Sequence, residues 1–404
     1  MKMKQYGFCA LLLAVLLTGC GSEPEPYQPG AAVSGMEADT RFSEAQDGFA
    51  AGLLREAQRV NGQENTMVSP YSVTMALAMT ANGAAGDTLS ETEQLLGGIP
   101  IGSLNQYLFA WRKHQPDSKT CKLRTANAVW YRDAADFMVK QDFLQKCALF
   151  YQADAFPGAF DDKTVKEVNQ WVSKSTDNLI PSIIDRFDPL DRMVLVNAVC
   201  FDAKWQKPFE KDDISDDIFT AADGTEQHVP FLSSTEHTYL EADGACGFVK
   251  QYDGDCAFVG ILPPEGMSVQ AYLDSLTREG FEKLLTKSQN AETHVRFPEY
   301  SYDTALSLNG ILQTLGMNQA FTDAADFSGI SDAPLHISNV LHKTHIEVDA
   351  KGTKAAASTA VMMQTNGMDA IPQHTVILNR PFVYVILDTQ NDLPLFLGTV
   401  HAIT

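Results

Sequence analysis

The sequence predicts a mixed α+β domain with substantial antiparallel sheet, and three observations carry that reading. Apolar residues recur at helical spacing through the first half of the chain, while β-branched and aromatic runs dominate the middle and C-terminal parts. From about Arg41 to Thr404 no second linker, low-complexity segment or internal repeat breaks the pattern. With 45% apolar and 20% charged residues, the 404-residue chain can bury a sizeable core.

Taken in order, the N-terminus lies outside that domain. MKMKQYGFCALLLAVLLTGC places Lys2 and Lys4 ahead of an apolar run from Phe8 to Leu17. Such a run is too short to cross ~30 Å of hydrocarbon as a helix, so residues 1–19 read as an export signal. Leu17-Thr18-Gly19-Cys20 resembles the lipobox of bacterial lipoproteins, which implies signal removal and a lipid on Cys20; a plain secretory signal that contains a cysteine is the alternative. Residues 20–40, rich in Pro, Gly and acid, read as a flexible tether. The domain then spans 41–404.

Its first helix is RFSEAQDGFAAGLLREAQRV, with Phe42, Ala45, Phe49, Leu53 and Ala57 on one face. A second starts at SPYSVTMALAMTANGA, where Ser69 caps, Pro70 takes the first helical position and a continuous apolar surface predicts deep burial. A third is KTVKEVNQWVSKSTDN. Strands are predicted at RMVLVNAVCF, CAFVGILP, HVRFPEY, HKTHIEVD, PFVYVILD and PLFLGTVHA. Residues 351–370 fit a strand with one buried face or an exposed loop. At period two, one set holds Thr353, Ala355, Ala357, Thr359, Val361 and Met363 without charge; the other holds Lys354, Ala356, Ser358, Ala360, Met362 and Gln364.

Composition narrows the function. A formal net charge of −21 argues against non-specific binding to nucleic acid or anionic membranes. Arg112, Lys113, His114 and Lys119 form the best basic patch and read as a solvated helix end. Of seven cysteines, Cys121, Cys147, Cys200, Cys246 and Cys256 remain in the domain; they form no zinc or disulfide pattern and read as small buried hydrophobes, although one pair can still bridge after export. No nucleophile elbow, zinc-protease helix or phosphate loop occurs, and GGIPIGS lacks a phosphate-pairing lysine. His342 and His345 lie three apart in a predicted strand, hence on opposite faces and not on one metal. No metal, cofactor or catalytic residue is expected, and the odds move from enzyme towards binding or inhibition.

Five segments, NTMVSPYSVTMALAMTANGAAGDT, LVNAVCFDAKWQKPF, LGMNQAFTDAADFSGIS, LHISNVLHKTHIEVDAKGTKAAAST and LNRPFVYVILDTQNDLPLFLGTV, resemble the serpins in order and spacing, from about Arg41 to the C-terminus. The resemblance implies three sheets, about nine helices and an exposed reactive centre loop over about 352–375. It implies a suicide inhibitor: a target protease cuts the loop, forms an acyl-enzyme, and is trapped when the freed strand enters the main sheet. Gly352, Thr353, Ala355, Ala356 and Ala357 match the hinge, with Gly352 expected to let it bend. Ser69, Ser72, Asn197 and His342 match the polar cluster behind the main sheet, and Trp205 the tryptophan where the loop first enters. GTKAAAST fits the inhibitory hinge pattern, whereas Ala350 stands where many inhibitory members carry an acid. The expected partner is a protease held as a covalent complex, by a monomer exported to a bacterial envelope, on the periplasmic or outer side, or to the exterior. A non-inhibitory binding or carrier serpin is the alternative.

Counting the family's usual seventeen residues from Ala350 puts Asn366 before the scissile bond and Gly367 after it. A longer loop lets the count slip, so Met363, Thr365 and Met368 are also candidates. Asn366 suits an asparagine-directed cysteine protease; Met363 or Met368 suits elastase-, chymotrypsin- or subtilisin-like serine proteases. No Arg or Lys lies between Lys354 and Arg380. Cleavage is therefore expected between Met363 and Ala370, with poor trapping of trypsin; intact masses of the fragments released by a protease panel check this, and efficient trapping of trypsin through this window refutes it.

Overall fold

Asp39 caps the first helix: its carboxylate accepts from the Phe42 amide at 2.9 Å and from the Tyr107 hydroxyl at 2.5 Å. The computed structural model describes residues 35–286, 288–353 and 372–403. The signal, Cys20, most of the tether, Ala355, Ala356, Ala357 and the scissile candidates Met363, Thr365, Asn366, Gly367 and Met368 lie outside the described residues. The folded part begins ahead of the expected boundary at residue 41, because Met36 packs against the core and its amide donates to the Gln106 carbonyl at 3.1 Å.

The first half holds α1 (Thr40–Asn61), β1 (Thr66–Val68), α2 (Pro70–Ala81), α3 (Gly86–Leu95), α4 (Ile101–Lys113), β2 (Cys121–Arg132), α5 (Gln141–Tyr151), β3 (Asp154–Gly158), α6 (Asp162–Ser175) and β4 (Met193–Lys204). Phe42, Phe49, Leu53 and Ala57 bury one face of α1. Ser69 caps α2, accepting from the Ser72 amide at 3.2 Å, and nearly every α2 residue is buried. Arg112 and Lys113 occupy the last turn of α4, where cations complement the helix dipole, and Arg112 donates to Gln152 Oε1 at 2.6 Å.

The second half holds β5 (Ile214–Thr220), β6 (Glu226–Ala242), β7 (Ala245–Gln251), β8 (Cys256–Leu262), α7 (Val269–Ser275), α8 (Arg278–Thr286), β9 (Ser288–Pro298), β10 (Tyr300–Ser307), α9 (Asn309–Thr314), β11 (Leu341–Val348), β12 (Gly352–Thr353), β13 (His374–Ile377), β14 (Phe382–Asp388) and β15 (Leu393–Val400). Nine α-helices thus occur among the described residues. HVRFPEY spans two strands, since the chain leaves one sheet at Pro298 and joins the other at Tyr300.

Strands β10-β11-β12-β4-β2-β3 form one six-stranded sheet; the other has nine strands in the order β1-β15-β14-β8-β7-β6-β9-β13, with β5 beside β6. Hydrogen bonding merges two of the three expected sheets because β6 runs for seventeen residues, pairing with β5 and β9 and then, from Tyr239 to Ala242, with β7. An irregularity between Glu236 and Thr238 marks where that long strand changes direction.

One continuous core lies between the sheets and under α1 and α2, and a smaller cluster around Trp130, Val168, Val172 and Val196 fixes α6 against β2 and β4. Phe258 sits amid rings of the main core, with centroids 5.7 Å from Phe297, 5.8 Å from Tyr384 and 5.9 Å from Trp205. Phe258→Ala removes a fully buried ring and is expected to cost about 3–5 kcal/mol; denaturant unfolding against wild type checks it, and a loss under about 1 kcal/mol would show that the core refills.

Candidate functional site at the junction of β4, β11 and β12

The two residues of β12 occupy a distinctive place. Thr353 pairs with Val348 of β11 on one side and with Ala203 of β4 on the other, and Gly352 pairs with Lys204; all these pairings are antiparallel. It follows that β4 and β11 run parallel to each other, and among the described residues only β12 joins them by a ladder. A Cβ on Gly352 would lie 2.0 Å from the Ala203 carbonyl oxygen and 2.8 Å from the Lys204 Cα. Gly352 is not among the positive-φ glycines. The position therefore needs glycine for close backbone approach, and not for the bend read from the sequence.

A rigid floor receives Thr353. Its hydroxyl hydrogen-bonds with Tyr252, whose ring stacks on Trp205 at 4.4 Å between centroids and 6° between planes. Trp205 also holds the approach to the hinge: its indole donates to the Asp349 carbonyl at 2.8 Å and its amide to the Lys351 carbonyl at 2.9 Å. The Phe209 amide donates to the Ala350 carbonyl at 2.9 Å, and the Ala350 amide to Glu299 Oε1 at 3.0 Å. Asp349 accepts from the amides of Lys351 and Gly352 at 2.7 and 3.0 Å, closing a tight turn before β12. Burial, followed by the charges of Asp349 and Glu347, raises the Glu299 carboxyl above its ordinary range. Buried Lys250 lies 4.3 Å from the Phe209 ring centroid and pairs with Glu236 at 2.8 Å.

Lower in the sheet, the first turn of α2 straddles the same junction. The Ser69 amide donates to His342 Nε2 on β11 at 3.0 Å, and the Ser69 hydroxyl donates to the Leu395 carbonyl at 2.8 Å. Ser72 hydrogen-bonds with Asn197 on β4. Asn197 donates to Asn127 Oδ1 on β2 at 2.5 Å, and Asn127 to the Tyr151 carbonyl at 2.7 Å. Ser69, Ser72, Asn197 and His342 thus meet in one network, while Trp205 sits with Thr353 at the other end. His345 takes the outer face of β11, 2.8 Å from Asp303.

Tyr252, Asn127, Glu299 and Lys250 belong to the site but are missing from the sequence reading. Asn127 alone had a local signal, an amide within the apolar run of TANAVWY. The others are defined by contacts across the fold.

Since an amide N–H only donates, the His342 Nε2 that accepts it carries no proton, and the ring is the neutral Nδ1–H tautomer. Burial lowers the His342 pKa to about 4. The unfolded chain binds a proton near pH ~6.5 and the folded chain does not, so stability is complete above ~6.5 and falls as pH drops towards the folded value. The loss reaches about 3 kcal/mol. His401, lowered to about 4 by burial, adds a loss of the same sign. His342→Asn is expected to shrink the stability difference between neutral and acidic unfolding titrations; an unchanged difference removes His342 from this role.

Comparison with known proteins is consistent with this geometry. Residues 44–403 match the family described as Serpin (serine protease inhibitor). Serpin B6 of Pongo abelii is 31% identical over 88% of this chain and 98% of its own. The thermophilic serpin tengpin in its native state superposes with a TM-score of 0.86 at 42% identity, over 92% of this chain and 96% of that one. Tengpin in its latent state gives 0.82 at 38% identity, over 92% and 100%. With an ordered fold matched almost end to end and a strand start seated between two parallel strands of the six-stranded sheet, the chain belongs to the serpin family.

Proposed function

We propose that the protein is a suicide inhibitor of proteases that completes its six-stranded sheet with its own cleaved loop. The observation that carries the proposal is β12, paired on both sides between β4 and β11. That docked start would set the direction and register of a strand inserted after cleavage. With Thr353 buried on the Tyr252 side, period-two alternation in an inserted strand would put Ala355, Ala357 and the uncharged set after them on the same face and Lys354 on the opposite one. The protease nucleophile attacks the carbonyl before the scissile bond, the amine leaves with the downstream segment, and the acyl-enzyme ester remains on the upstream strand. Insertion of about fifteen residues at ~3.3 Å each carries the attached protease roughly 50 Å, distorting its active site before water cleaves the ester. The targets proposed are serine proteases of apolar specificity, with cysteine proteases a further class. The N-terminal segment supports export with a lipid on Cys20 and a place at the cell envelope.

Thr353→Arg puts a charge on the buried side at the first step, against the Tyr252 hydroxyl, at a cost of several kcal/mol if unpaired. The variant is expected to fold, be cleaved and release active protease; a denaturant-stable covalent complex equal to wild type on a gel would overturn the mechanism.

A single cut in the loop should raise the melting temperature sharply, because on this reading the freed strand adds to the sheet the pairings that begin at β12. Thermal scans before and after limited proteolysis test this, and no increase, with no covalent complex formed by any protease tried, supports a binding or carrier role instead.

A further inference from the structure

Cys121 and Cys256 are the first residues of β2 and β8, and so belong to different sheets. Both are buried, at 1% and 0% exposure. The Tyr252–Cys256 turn brings them together: the Tyr252 amide donates to the Cys256 carbonyl at 3.0 Å, and the Thr120 hydroxyl donates to the Asp253 carbonyl at 2.9 Å. A Cβ added at Gly254 would lie 2.6 Å from Cys121 Cβ and 3.4 Å from its Sγ. The Cys121 and Cys256 thiols share a hydrogen bond. Their position is mechanically pointed, because Cys121 is in register with Ala203, the residue of β4 that receives Thr353.

We propose that Cys121 and Cys256 are a disulfide site, closed when the chain folds in an oxidising compartment, and that the closed bond hinders entry of the loop into the six-stranded sheet. The second half of this statement rests on the inhibitory reading above. Below Ala203, where β12 already holds β4 and β11 apart, a strand entering between them must part them by one strand spacing, ~4.8 Å. Paired to β4 from Cys121 to Tyr131, β2 moves with it, whereas Cys256 stays paired with Asp388 of β14. A disulfide holds its two Cα atoms within ~6.8 Å, so it opposes that displacement. Without the bond, that end is held to the turn by hydrogen bonds, Thr120 to Asp253 and Asp253 to Lys204 among them, which yield more readily than a covalent link.

The bond forms by exchange with a disulfide oxidant, either a dithiol oxidase or a small-molecule disulfide. One cysteine thiolate attacks the oxidant and makes a mixed disulfide; the second thiolate displaces the oxidant's remaining sulfur and makes the Sγ–Sγ bond. The two protons lost by the cysteines end, by way of solvent, on the oxidant's two sulfurs, which leave as the reduced thiol pair. The hydrogen bond from Cys121 and burial raise the Cys256 thiol above its ordinary range, which keeps it protonated and inert once the core has closed. Oxidation therefore belongs to the folding chain, and the setting persists afterwards.

The test folds the full chain in a glutathione buffer poised oxidising or reducing, denatures it in N-ethylmaleimide and maps the peptides. A Cys121–Cys256 link in the oxidised sample, lost in Cys121→Ser and in Cys256→Ser, supports the site; no link, or a link to another cysteine, overturns it. Each form then meets subtilisin and chymotrypsin, and the fraction of cleaved inhibitor ending as covalent complex is measured. A several-fold lower fraction in the linked form, with Cys121→Ser insensitive to the folding buffer, supports the restraint. Equal fractions in linked and unlinked protein overturn it. If no form traps either protease while the link maps as stated, the inhibitory reading fails and the disulfide site stands.

Discussion

Everything distinctive about this molecule follows from two parallel strands that are neighbours without pairing to each other. A ladder between β4 and β11 would close the six-stranded sheet and leave nowhere for another strand. Instead β12 takes the place between them, antiparallel to both, and is the one strand that pairs with each of them among the described residues. Backbone donors and acceptors on facing edges gain most from a strand that satisfies both at once. The sheet thus holds, between two parallel strands, the two residues of β12 as their common partner.

Such an arrangement survives only if something keeps the two strands from drifting apart, and the first turn of α2 does so with polar groups. Ser69 reaches His342 on β11, and Ser72 reaches Asn197 on β4. Separating the strands strains one link or the other and leaves a buried donor or acceptor unpaired, at roughly 1–3 kcal/mol each. An apolar seam would resist separation less directionally. Polar residues at the N-terminus of an otherwise apolar helix therefore serve twice, as a helix cap and as a latch across the junction.

Local chemistry explains how much of this was legible. Ser69 and Pro70 announced the start of α2, and the β-branched runs of β4, β8, β11, β14 and β15 announced strands, because cap and period-two signals are written in adjacent residues. The long β6 was missed: EQHVPFLSSTEHTYLEA alternates weakly, since one part packs against β9 and another against β7. Within the site, Tyr252 meets Thr353 across 101 residues and Glu299 meets Ala350 across 51. Neither contact has a local pattern. Gly352 was identified as the hinge for a different reason, because a glycine needed for bending and one needed for close approach look alike until the Ala203 carbonyl is placed.

The departure at Ala350 then acquires a physical meaning. An acid at that position could anchor the hinge through its own side chain; here the same segment is anchored through its backbone. The Ala350 amide goes to Glu299, its carbonyl to Phe209, and the flanking carbonyls of Asp349 and Lys351 to Trp205. Acidic groups lie next to Ala350 all the same, Asp349 before it in sequence and Glu299 bonded to its amide. Burial and mutual repulsion keep the Glu299 carboxyl raised, so it holds the hinge as an acceptor with a weakened hold on its charge. Held this way, the hinge is fixed up to Thr353 by bonds that do not involve residues beyond it.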